Sequence, residues 1–181
     1  MVVCKALLAA VLLTSVVDVL ATSTLQRAEP LPDPAAMARV PPDVERFVRE
    51  ALRDRLLAGD IPDLELAVDR AARHVYVRAE MPASQMTLTP SALPQVPQAR
   101  LTLIRLAVAQ QRVARTGERI AFLTVDRVQI ARQVATVWLG ADFIAPLQPG
   151  SVKMCCCESE ARFVRHEGRW VFVKWGAARC V

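Results

Sequence analysis

The stretch that decides the fold is Arg162-Phe163-Val164-Arg165-His166-Glu167-Gly168-Arg169-Trp170-Val171-Phe172-Val173. Two runs rich in aromatic and β-branched residues flank a polar break, the pattern of a β-hairpin. Gly168 suits the second central position of a tight turn, where φ is positive. With Glu167-Gly168 as a two-residue loop, His166 faces Arg169 and Phe163 faces Phe172; counted outward, Cys155 faces Cys180. The hairpin therefore predicts a disulfide between Cys155 and Cys180, with Cys156 or Cys157 as the partner in a shifted register.

Upstream, residues 120–130 and 134–139 are two further β-branched runs separated by Ala131-Arg132-Gln133. Pairing with each other and then with the hairpin, they make a four-stranded antiparallel meander, interrupted by a loop at 146–150. Nearer the N-terminus, Val44, Phe47, Val48, Ala51, Leu52, Leu56 and Leu57 recur at three- and four-residue steps, with charged residues between them. That period predicts an amphipathic helix, opened by Pro41-Pro42 and closed by Gly59. Alternation at 64–68 and again at 74–79, around a polar break at 69–73, predicts a hairpin. Residues 81–98 carry Pro82, Pro90, Pro94 and Pro97 and read as a long irregular connection suited to a lid or rim. At 99–116 a short strand or turn feeds a helix of about three turns that stops at Gly117. The predicted fold is α+β: two helices packed on a curled antiparallel sheet of about six strands, in a single domain over 43–181.

The segment before that domain has two parts. Residues 1–21 combine Lys5, an apolar run from Ala6 to Val17 and the small-residue pattern Val19-Leu20-Ala21, which reads as a signal peptide cleaved after Ala21. A secreted or periplasmic protein follows, or a membrane-anchored one if the segment is retained. Residues 22–42, with Pro30, Pro32, Pro34, Pro41 and Pro42, read as a linker with little order. Lys5 and Asp18 cancel, so the remainder keeps the formal charge of +5, and nearly all of its cations are arginine. Such a surface suits an anionic partner such as a membrane surface, a cell-wall polymer or nucleic acid. The chain has no asparagine, hence no N-glycosylation acceptor.

The order helix, hairpin, helix, then long strands ending in Gly168-Arg169-Trp170-Val171-Phe172 resembles the cone-shaped fold of the nuclear transport factor 2-like and cystatin-like superfamily, over residues 43–176. The resemblance implies a curled sheet around a pocket for small apolar ligands, acid/base catalysis in some members, and homodimers. It carries over no functional residue.

Chemistry is concentrated in Cys155-Cys156-Cys157. In an extended strand Cys155 and Cys157 share a face, so with Met154 they would suit Cu(I). In an oxidising compartment a disulfide is the favoured fate of such cysteines. His74 and His166 are the only histidines, and Asp126 or Asp142 would be the carboxylates to orient one. No catalytic residue, metal or cofactor is assigned. Trp138, Trp170 and Trp175 with Arg162, Arg165, Arg169 and Arg179 imitate a base-stacking platform, but an exported protein is not expected to bind nucleic acid. The reading is an exported binding or structural module closed by a C-terminal disulfide. A cone-fold pocket enzyme or small-ligand carrier is the alternative, and a copper or thiol-redox protein the second.

Overall fold

Pro41 and Pro42 open helix α1 (Pro42–Ala58), Asp43 and Glu45 lie in its positive first turn, and Gly59 closes it at φ 69° with its N–H on the Arg55 carbonyl. The computed structural model describes residues 37–69, 73–146 and 157–180. Phe47, Val48, Ala51 and Leu52 line the buried stripe of α1.

The next segment differs from expectation. Leu64–Ala67 is a short helix, α2, and only Val68–Asp69 (β2) pairs with His74–Arg78 (β3), through Val68 with Val75 and Asp69 with His74. Leu-Glu-Leu-Ala is a run of strong helix formers, and packing against the sheet decides between that preference and the period of two. The expected linker is also ordered at its end: Ala38–Arg39 is a strand, β1, and Val40 is buried in the core. Residues 22–36 of that linker lie outside the described residues.

The proline-bearing connection is pinned down, and the lid reading gives way to packing. It holds β4 (Glu80–Met81) and β5 (Met86–Thr87), which form a small sheet with β1, and two 3₁₀ turns at Pro82–Ser84 and Pro90–Ala92. Leu88 and Ala92 are buried, and Arg49 donates to the Ser91 carbonyl at 2.8 Å. Glu45 accepts from the hydroxyls of Thr89 and Ser91, and these bonds hold its carboxyl below the usual pKa.

Strand β6 (Arg100–Ile104) then feeds helix α3 (Leu106–Thr116), as the sequence implies. Its N-cap, Arg105, makes no side-chain cap, and the Leu106 N–H is instead met by both carboxylate oxygens of the buried Glu80, at 3.1 and 3.2 Å. Strands β7 (Ile120–Ala131), β8 (Val134–Ile144), β9 (Cys157–His166) and β10 (Arg169–Cys180) form the antiparallel meander.

The whole is α+β, but its main sheet is mixed. Its order is β10-β9-β8-β7-β3-β2 with β6 beside β3, and β3 runs parallel to both β6 and β7. Parallel neighbours need crossovers, supplied here by the 81–98 connection and by α3. Phe47, Val75, Leu123, Val137, Leu139 and Phe163 belong to the larger core. Ile104, Ala109, Val113, Ile120 and Phe122 form a second core that involves α3. Among the described residues, no helix is long and apolar enough to cross a membrane.

Candidate functional site

The hairpin turn is the two-residue loop, with His166 opposite Arg169 and Phe163 opposite Phe172. Farther out the register departs from regular counting. Strand β10 gains one residue between Phe172 and Lys174 and another between Trp175 and Ala178, so Cys180 is paired and disulfide-bonded with Cys157, not Cys155. Each bulge moves the partner by one position, and two bulges account for the difference. Gly140 of β8 lies against this rung; a Cβ there would sit 2.5 Å from the Cys157 carbonyl oxygen, so the close approach of β8 and β9 requires glycine.

The same register sorts the side chains of β8, β9 and β10 between two faces. Ala135, Phe163 and Phe172 form a cross-strand row packed into the core. The next row, Val134, Val164 and Val171, points outward and is 47, 39 and 47% exposed. Val173, displaced by the first bulge, is 52% exposed. An isolated exposed valine is ordinary, whereas an aligned row is a contiguous apolar strip.

Basic side chains rim the strip on both sides. On one side Arg162 is directly opposite Lys174, and on the other Arg169 is opposite His166. Like charges facing each other across a ladder are unfavourable, and Glu160 relieves one by accepting from Arg162 at 2.6 Å. An anion near Lys174 would relieve the other.

A third feature was not legible in the sequence. Arg179 donates to Glu158 at 2.8 Å and to the buried Asp126, and its guanidinium lies 5.1 Å from the Trp138 ring centre. The hydrogen bond that Arg179 donates to Glu158 leads the causes that raise the Arg179 pKa. Asp126 also accepts from the Ala83 N–H at 3.3 Å. One arginine thus ties β10 to β9 and, through Asp126 on β7, to the Pro82–Ser84 turn.

The other candidates separate. Met154, Cys155 and Cys156 lie outside the described residues, and Cys157, needed for the copper arrangement, is in the disulfide. His74 hydrogen-bonds Thr102 at 2.9 Å and packs edge-on against Tyr76, while His166 is exposed beside the turn. Asp126 is engaged by Arg179, and Asp142 accepts from the Phe143 N–H. Among the described residues, neither histidine is hydrogen-bonded to Asp126 or Asp142. Trp170 packs on Phe47 and Trp175 donates to Asp60, both toward α1, whereas Trp138 lies under Arg179. The three indoles build no common stacking platform. Among the described residues, no group of three or more His, Cys, Asp or Glu side chains is arranged to hold a metal.

Comparison with models of protein families, with curated proteins and with solved structures yields no match.

Proposed function

We propose that the protein is an exported, disulfide-closed binding module that docks on anionic lipid surfaces through the outer face of β8, β9 and β10. The observation that carries this reading is the aligned strip of Val134, Val164 and Val171, with Val173 beside it, set between Arg162/Lys174 and Arg169/His166. Covering the exposed half of four valines contributes roughly 3 kcal/mol. Each Lys or Arg brought to an anionic bilayer adds about 1 kcal/mol. Together they give reversible, salt-sensitive attachment. The sequence pI of about 9.3 and the signal-like residues 1–21 agree with that setting.

The nuclear transport factor 2-like cone serves as the frame in this reading. Phe47, Phe163, Phe172 and Trp170 fill the centre of the space between α1 and the sheet with edge-to-face contacts and leave only a small groove at the hairpin tip, which favours a docking module over a deep-pocket enzyme or carrier.

Co-sedimentation of residues 22–181 with vesicles tests the reading. Vesicles containing phosphatidylglycerol should retain the protein, pure phosphatidylcholine should not, and Val164→Ser/Val171→Ser should weaken retention about tenfold or more. Equal binding to both lipids, or retention indifferent to the valine pair, would reject it. Export is checked separately by intact mass of the protein made with its leader, which should lack residues 1–21.

A further inference from the structure

On the opposite face of the same hairpin tip, α1 and the meander enclose a groove of about 80 Å³ lined by Asp43, Arg46, Glu50, Ile130, Arg165 and Trp170. Its composition is balanced: two guanidinium groups, two carboxylates, and an apolar floor of indole and isoleucine. Asp43 and Glu50 stand three residues before and four residues after Arg46 on α1, spacings at which helical ion pairs ordinarily form. Among the described residues, however, none of these four charged groups takes part in an ion pair within 4.0 Å. Arg165 sits with its guanidinium 5.8 Å from the Trp170 ring centre, at the distance of a cation–π contact.

We infer that this groove binds a small zwitterion, an α-amino acid with a short apolar side chain. A carboxylate would lie between Arg46 and Arg165, an ammonium group against whichever of Asp43 and Glu50 lies beside it, since the two stand about 10 Å apart along α1 on either side of Arg46, and the side chain on Trp170 and Ile130. A plain anion would meet the two carboxylates, and a plain cation the two arginines, so the charge pattern selects a ligand that carries both signs. The volume admits roughly six to eight heavy atoms, about the size of valine, and excludes a drug-sized molecule. This site is independent of the lipid-docking face, because Trp170 and Val171 alternate to opposite sides of β10.

The test is an NMR titration of residues 22–181 that follows the Trp170 indole N–H, using L-valine, 3-methylbutanoate and 2-methylpropan-1-amine. The last two are valine without its amine and valine without its carboxylate. L-Valine should shift the signal saturably with Kd on the order of 1 mM, and each half-ligand should bind at least about tenfold more weakly. Arg46→Gln should weaken L-valine by a similar factor. Arg112→Gln, on α3 and hydrogen-bonded to Tyr76, should leave it unchanged, and matching far-UV circular dichroism should show both variants folded. The inference fails if L-valine gives no saturable shift. It fails equally if 3-methylbutanoate binds as tightly, which would mark a simple anion site, or if Arg46→Gln binds normally.

Discussion

Glu45 accepts hydrogen bonds from Thr89 and Ser91, and these two bonds are the main reasons its carboxyl titrates below the usual carboxylate range. They join the first turn of α1 to a connection whose prolines leave it few backbone bonds of its own. The sign of the pH effect follows. A carboxyl whose folded pKa is depressed contributes stability that is complete above its unfolded pKa and is lost as pH falls through the folded value. Denaturant midpoints measured from about pH 6 to about pH 3 should therefore show wild type and Glu45→Gln converging as the solution becomes acidic. A gap between them that stays constant over this range would mean that the charge on Glu45 does not hold the clip.

At the scale of elements, what was legible and what was not divides along local and long-range causes. The α1 stripe, the β6–α3 boundary and the Glu167-Gly168 turn rest on periodicity, caps and turn chemistry, all carried by neighbouring residues. The two bulges in β10 are different. Val173 looks like any other strand valine, and its displacement appears only once β9 is in place. The partner of Cys180 depends on those bulges, so counting outward from the turn reached Cys155 where the fold uses Cys157. The Arg179–Asp126 tie spans 53 residues and left no sequence signature. The register has a measurable consequence. Closing a loop of 23 residues contributes about 3 kcal/mol in the chain-entropy view. Cys157→Ala/Cys180→Ala should lower Tm by about 10 °C, whereas Cys155→Ala should leave it within about 2 °C. A Cys155→Ala variant as unstable as the double variant would overturn the assignment of the bridge.

At the scale of the whole molecule, the described residues form two unequal cores. Among the described residues, twenty buried side chains make the core that α1 packs into, and five make the core that involves α3. Backbone pairing adds to the difference, because β8 is bonded on both edges, to β7 and β9, while among the described residues the backbone of α3 has its own helical bonds and the Glu80 cap. Burial and cross-strand bonding both set the free energy of local opening. The α3 segment should therefore open independently of the meander, at a cost on the order of 2 kcal/mol less than global unfolding. Native-state hydrogen exchange reads this directly: amides of Leu106–Thr116 should exchange faster and with a smaller denaturant slope than those of Val134–Ile144. Glu80→Ala should widen the difference, since it removes the partner of the Leu106 N–H and leaves Arg78, whose Nε has no hydrogen-bond partner, without the carboxylate 3.8 Å away. If α3 and β8 exchange with the same free energy and slope, the two cores unfold as one unit, and the mixed sheet between them transmits stability from one face to the other.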